Sequence, residues 1–444
     1  MPDEFEFDAV INRMNTNSVK WDVQEGQLPM TIADMDFKTS PAIISALEKK
    51  ISTRIYGYEI PKDDYYQSII RWCTSKHNWE PAKEWILYCN GVIPAISVII
   101  QRLSNIGDNI VMLTPICNAY FNVIFDNGRH VIEVPLDYDS SVNEYSINWD
   151  LLENAFSNGH ASLMLLANPC NPTGTCWKQS ELTTILRMAH TYHITVVCDE
   201  IWGDLVLEPG QSYTPILSLP KDLTNVAIML TSTSKTFNTP GLHSASAIIP
   251  DRALREICSR GFAIADIISP GTTSLQGTIA AYQNSDDWVV ALKNYLWGNI
   301  DHAKQFLSST IPEIKPVPSQ ATYLMWLDCS ALLASSKGKT SRDLANYLEE
   351  DTGLILLSGD KFRGNGRMFL RMNVACPRSE LDDALGRLQK GVSDFQSGLA
   401  PASKRQEEQA STQKAASSNS PPFPFLCFMR LAPYLPKGIY AQNY

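Results

Sequence analysis

No stretch of the 444-residue chain reaches the roughly 18 consecutive apolar residues that a membrane-spanning helix requires, which excludes a helical membrane protein. The start, MPDEFEFDAVINRM, is acidic and lacks the basic, apolar and small-residue order of a secretory signal, so a cytoplasmic location is expected. Positive charge is in short supply. Lys and Arg number 37 against 47 Asp and Glu, a formal net charge of −10, which argues against nucleic acid as a partner because phosphate contacts want clustered cations. Ten cysteines are present, but none forms a CxxC pair, so neither a structural zinc site nor a thioredoxin-like pair is indicated. Reduced thiols and no metal are expected. What is there is an ordinary globular composition, 44% apolar and 19% charged, long enough for two packed domains.

Ser40-Pro41 followed by Ile43, Ile44, Leu47 and Ile51 predicts a capped amphipathic helix, and a second helix follows over Asp63 to His77. Short apolar runs then recur at Ile86-Leu87-Tyr88, Ile110 to Leu113, Leu163 to Leu166, Thr195 to Val197 and Val226 to Leu230. Runs of this length, apolar on both faces, suit strands covered by helices on both sides. With helix-length segments such as Ser180 to Thr191 between them, they predict an α/β doubly wound domain. The expected organisation is an N-terminal arm over 1–45 that contributes to a small domain, a large domain over 46–289 and a small α+β domain over 290–396. From 397 to 444 the composition is that of a disordered tail.

The ends of the apolar runs carry the polar residues. They lead into Asn90-Gly91-Val92, Thr114-Pro115, Asn168-Pro169-Cys170-Asn171-Pro172-Thr173-Gly174, Asp199-Glu200 and Ser232-Thr233-Ser234-Lys235. Turns favour Gly, Pro and Asn anyway. An Asp, a Lys and two Asn on one edge exceed turn chemistry, and that edge is where open parallel sheets bind ligands. Lys235 follows an apolar strand, a setting in which desolvation leaves a lysine nucleophilic. Asp199 ends the run ITVVC, where a carboxylate is costly unless a cation meets it. Alone, Asp199 reads equally as a cap and Lys235 as a solvated loop lysine. Together they match the needs of the electron-sink cofactor pyridoxal 5′-phosphate (PLP): a lysine for its aldehyde, a carboxylate for its ring nitrogen, anchors for its phosphate and a cation for the substrate carboxylate.

Ser234-Lys235-Thr236-Phe237-Asn238 with Pro240-Gly241-Leu242 resembles the lysine motif of the PLP-dependent class I/II aminotransferase family. Ala33-Asp34-Met35-Asp36-Phe37, Tyr56-Gly57-Tyr58, Asn168 to Gly174 and Phe369-Leu370-Arg371-Met372-Asn373 appear in the order found in its cystathionine β-lyase (MalY/PatB-like) branch, a resemblance covering about residues 5 to 395. It implies the aspartate-aminotransferase fold, a large mostly parallel sheet domain beside a small α+β domain. It further implies that Lys235 holds the cofactor covalently, Asp199 meets its ring nitrogen and Asn171 its phenolic oxygen. Backbone amides at Gly91, Val92 and Ile93 would hold the phosphate with Ser232, as a helix N-terminus suits an anion. Tyr58 would reach the phosphate of a neighbouring subunit, making a homodimer with shared active sites. Arg371 would bind the substrate α-carboxylate, with Asn171 and Asp34 also on the substrate side.

Several positions depart from the family. Cys117 stands where relatives carry an aromatic residue stacked on the cofactor, and Tyr120 is the candidate to compensate. Trp202 replaces the usual Tyr or His, His243 replaces an arginine for the phosphate, and Thr31 replaces the tryptophan before ADMDF. The resemblance implies β-elimination from a cysteine S-conjugate, giving a thiol, pyruvate and ammonia. The alternatives are an aminotransferase and a PLP-binding regulatory or interaction protein. The divergent site and the tail also resemble the fungal C–S lyases of sulfur-containing diketopiperazine pathways.

Overall fold

The computed structural model describes residues 5–336 and 338–403. Ser40 caps helix α1 (Pro41–Ser52), its hydroxyl accepting from the amide of Ala42, and Pro41 takes the first turn, where a missing N–H costs nothing. Helix α2 (Asp63–His77) ends at Asn78, whose left-handed backbone stops it. Seven strands then build the main sheet: β1 (Ile86–Cys89), β2 (Asn109–Thr114), β3 (His130–Pro135), β4 (Ala161–Ala167), β5 (Thr195–Asp199), β6 (Ala227–Thr231) and β7 (Ala245–Ile248). Their order is β1-β7-β6-β5-β4-β2-β3, with β7 antiparallel to both neighbours and the other pairings parallel. Helices α3 (Val92–Leu103), α4 (Asn118–Asp126) and α5 (Gln179–Tyr192) alternate with the strands. Residues 163 to 167, 196 to 199 and 227 to 230 are buried on both faces, as a sheet covered from both sides demands.

This topology gathers chemistry on one edge. Six strands run the same way, so their carboxyl ends share that edge. Because β7 runs the other way, its beginning, at His243 and Ser244, arrives there too.

A second, antiparallel sheet contains β8 (Lys315–Pro316), β9 (Leu324–Asp328), β10 (Leu357–Ser358) and β11 (Phe369–Asn373), ordered β8-β9-β11-β10. The 25-residue helix α6 (Asp286–Thr310) joins the two layers, so the division expected after residue 289 falls inside a continuous helix. The N-terminal segment belongs to the smaller layer. Leu28–Pro29 pairs in parallel with Leu354–Ile355, and Asn373 N–H donates to Met30 O at 2.9 Å. Helix α7 (Arg378–Gln396) is followed by residues tied back to the body: Tyr347 Oη donates to Leu399 O, and Ala402 N–H to Asp351. Most of the expected tail, 404–444, lies outside the described residues. No described helix is long and apolar enough to cross a membrane.

The two layers meet at Gly174. Its backbone has a positive φ of 70°, and a Cβ there would come within 2.1 Å of Ser319 Oγ. Only glycine allows the 168–174 loop to close on residues 319–321, whose amides at Gln320 and Ala321 both donate to Gly174 O.

Candidate active site

A cavity of about 280 Å3 opens between the layers on the shared edge. Lys235, Asp199, Asn171, Arg371, Gly91, Val92, Ile93, Ser232, His243, Trp202, Tyr120 and Cys117 all line it, having arrived from separate parts of the chain.

Lys235 sits in the four-residue helical turn Thr233–Thr236 after β6. Ser232 caps that turn, accepting from Ser234 N–H at 3.1 Å and donating to Ser244 O at 2.7 Å. Lys235 Nζ donates to Ala33 O at 2.8 Å, and Tyr323 Oη donates to the same carbonyl at 3.0 Å. Burial lowers the lysine's pKa, opposed by the charges of Cys117, Asp34 and Asp199. A buried amine held below its ordinary range is a nucleophile.

Asp199 closes β5. Its Oδ1 accepts from Ile201 N–H at 3.0 Å and its Oδ2 from Tyr120 Oη at 2.6 Å. Burial pushes its pKa up, while Tyr120, the Ile201 amide and Lys235 act the other way. A buried carboxylate with neutral donors and no cation bonded to it is an acceptor for a cationic group.

Arg371 comes from β11 and is 3% exposed. Its Nη1 donates to Asn171 Oδ1 at 3.1 Å and its Nη2 to Thr31 O at 2.8 Å, while Nε is buried without a partner. Burial depresses the guanidinium to about 10. Residue 31 serves the arginine through its carbonyl, so replacement of an aromatic side chain there leaves that contact available.

Gly91, also in the cavity wall, precedes α3, whose first-turn N–H groups have no intrahelical partners. A Cβ on Gly91 would stand 3.1 Å from Pro94 Cδ, so the glycine keeps this helix start open. Asn90 Oδ1 is buried there without a partner.

Two candidates fall outside the cavity. Asp34 turns to Arg13, its Oδ2 2.8 Å from Nη2, and the loop meets the cavity through Ile32 and Ala33 instead. Its charge still acts on Lys235. Tyr58 stands fully exposed and does not line the cavity of its own chain. Trp202 packs edge-on against Tyr323, with ring centroids 4.9 Å apart, and Lys235 Nζ is 5.8 Å from its ring.

The sequence reading placed Asn90 on the ligand-binding edge without giving it a role, and missed Tyr323 and the clamp on the 33–37 loop. Asn238 accepts from Met35 N–H and donates to Met35 O and Phe37 O, tying the lysine motif to that loop. From the far side, Lys20 and Arg13 hold Asp36 at 2.5 and 2.7 Å. Only Asn90, adjacent to Gly91, carried a local signal.

The donor set fits PLP. An unpartnered buried guanidinium nitrogen, an open helix start, a depressed lysine and a cation-seeking carboxylate surround one small-molecule cavity.

Comparison with known proteins agrees. The family model "Aminotransferase class I and II" matches residues 25–388. The cystathionine beta-lyase PatB of Bacillus subtilis is 32% identical over 395 residues, covering 87% of this chain and 100% of that protein. Protein MalY of Escherichia coli is 31% identical, covering 86% and 98%. Among solved structures, cystalysin from Treponema denticola, which contains a pyridoxal 5′-phosphate cofactor, superposes with a TM-score of 0.84 at 27% identity, covering 88% and 99%.

Proposed function

Because the chain belongs to the class I and II aminotransferase family and resembles PatB and MalY over nearly its whole length, we propose that it is a PLP-dependent carbon–sulfur β-lyase. Its substrate in this reading is a cysteine S-conjugate, cleaved with one water to a thiol, pyruvate and ammonia. The observation that carries the proposal is the convergence of Lys235, Asp199 and Arg371 on one cavity in a chain with these relatives.

When bound, PLP supplies an aldehyde that takes up amines and a protonated ring that accepts the electrons of the substrate's Cα. Lys235 Nζ would hold that aldehyde, and its amine, when free, would take the substrate's α-proton. Asp199 would hold the proton on the ring nitrogen. Arg371, steadied by Asn171 and Thr31 O, binds the α-carboxylate and orients the Cα–H bond toward Lys235. The amides of Gly91, Val92 and Ile93, with His243 and with Ser232 once its hydroxyl turns from Ser244 O, would hold the phosphate. Cys117 leaves more room than an aromatic ring, which supports a bulky conjugate and a place in sulfur-containing secondary metabolism.

The loop between α1 and α2 exposes Ile55, Tyr56, Tyr58 and Ile60. Such an apolar cluster is suited to a second copy of the chain, and we assign Tyr58 to the phosphate of the partner's site in a homodimer.

The test is the visible spectrum of the PLP-loaded protein, with pyruvate and free thiol assayed on a cysteine S-conjugate without any keto acid. A cofactor band lost in Lys235→Ala, together with both products, supports the lyase. Turnover only when a keto acid is supplied would replace it with an aminotransferase.

A further inference from the structure

Tyr120 lies in the first turn of α4, one helical turn beyond the family's ring-stacking position, and is buried. Its hydroxyl is committed. Oη donates to Asp199 Oδ2 at 2.6 Å, within the short range of a hydroxyl bound to a carboxylate. The other oxygen, Oδ1, is taken by the Ile201 amide. The carboxylate is therefore gripped at both oxygens, by a strand-end backbone and by a helix, and cannot rotate without breaking a bond.

Burial and the adjacent Asp199 charge drive the Tyr120 phenol well above its ordinary range, so it stays protonated and remains a donor. The groups around the pair are the Lys235 amine and the Cys117, Cys170 and Cys198 thiols. Of these, Lys235 is the cation, and it too acts to keep Asp199 charged. A donor to the charged form of a carboxylate lowers its proton affinity. Burial alone would make Asp199 a strongly basic partner for any proton it faces, and the phenol opposes that.

We propose that Tyr120 is a positioning residue that fixes Asp199 and weakens its hold on the proton of the cofactor's ring nitrogen, setting the strength of the electron sink. This rests on the assignment of Asp199 to that nitrogen. In this role Tyr120 acts through the carboxylate and not by covering the ring.

The experiment loads the full-length protein with PLP carrying 15N in the ring and follows the nitrogen resonance against pH, in the parent and in Tyr120→Phe. Loss of a hydrogen bond to a charged group corresponds to about one to two pH units. The expected result is a ring nitrogen that keeps its proton to a pH higher by that amount in Tyr120→Phe. A second sample carries 3-fluorotyrosine at position 120, a stronger donor of nearly the same shape, and is expected to shift in the opposite direction. It serves also if Tyr120→Phe does not fold. A residue that merely fills space would alter stability and leave the resonance where it was. Identical titrations in the parent and the fluorinated protein overturn the proposal. Failure of the parent to bind labelled PLP overturns the cofactor assignment itself, a distinguishable result.

Discussion

Replacing Thr236 by Val removes one hydroxyl, and the structure predicts that the turn carrying Lys235 loosens as a result. Asp204, five residues beyond Asp199, is the reason. Its Oδ1 accepts from Trp72 Nε1 at 2.8 Å and from His77 Nε2 at 2.7 Å, the imidazole donating because a carboxylate oxygen can only accept. Its Oδ2 accepts from Thr236 Oγ1 at 2.9 Å. Helix α2 is thereby connected through one buried carboxylate to the residue next to Lys235. Burial works against the charge, yet the bonds from His77, Trp72 and Thr236 hold the carboxyl below its usual range. A depressed folded value means that this stabilisation is complete above the ordinary carboxylate pKa and is lost as pH falls through the folded one, so neutral pH reports it in full. A hydrogen bond to a charged group is worth about 1.5–3 kcal/mol. If Thr236→Val forfeits that locally, opening of the turn becomes about 10- to 150-fold more frequent. Native-state hydrogen exchange at Phe237 and Thr239 reads it directly, since their amides bond to Thr233 O and Ser234 O within the turn. Trp72 donates to the same carboxylate, but its ring also packs on Phe237 with centroids 5.5 Å apart, so the control is His77→Phe, which removes another donor outside the turn and is expected to affect those two amides less. Exchange at Phe237 and Thr239 within about twofold of the parent in Thr236→Val would refute the reasoning.

Two further predictions concern charge. Burial raises Glu200 to about 7, although Tyr213, the Ile216 amide, Asn168 and Cys198 all bond to it. Its contribution to stability is therefore full below its ordinary value and lost as pH rises through about 7. At about 1.36 kcal/mol per unit this is on the order of 3 kcal/mol, and Glu200→Gln should flatten by that much the fall in unfolding free energy, measured by denaturant titration, between pH 4 and pH 8, leaving a residual slope from Glu380, raised in the same direction. Arg371→Lys forfeits the two-pronged grip on a carboxylate, so kcat/KM should fall about 10- to 150-fold on an α-carboxylate substrate and far less on its carboxamide; equal losses on both would remove Arg371 from that role.

Lys235, Asp199, Asn171 and the Gly91 turn were legible because each lies at the end of a strand or within four residues of it, and the alternation of apolar runs with amphipathic segments sets the edge on which they meet. Partners brought together from far apart in the chain were not. Asp34 reads as a site residue within ADMDF, but its partner Arg13 lies 21 positions earlier in a segment with no periodic pattern to place it. Tyr120 finds Asp199 at a separation of 79 residues, and Asp204 finds His77 at 127. Pairings of this kind are decided by how helices settle on the sheet, which no local spacing encodes. The continuity of α6 is a related case: a helix shared by two layers shows an unbroken pattern where composition suggests a division.

The pairing of Leu28–Pro29 with Leu354–Ile355 imposes a timetable on the chain as it leaves the ribosome. The earlier strand emerges 326 residues ahead of its partner, a wait on the order of 15–65 s at about 5–20 residues per second. During that interval the arm, with Met30 and the buried Lys20 and Asp36, has no small layer to settle on. The nascent protein must keep this segment from aggregating until translation nears its end. Residues 91 to 243, which carry most of the cavity lining, are complete some 130 positions before Arg371 is made. Most of the cavity wall can therefore form before Arg371 closes it, and a ribosome stalled near residue 300 would present the first without the second.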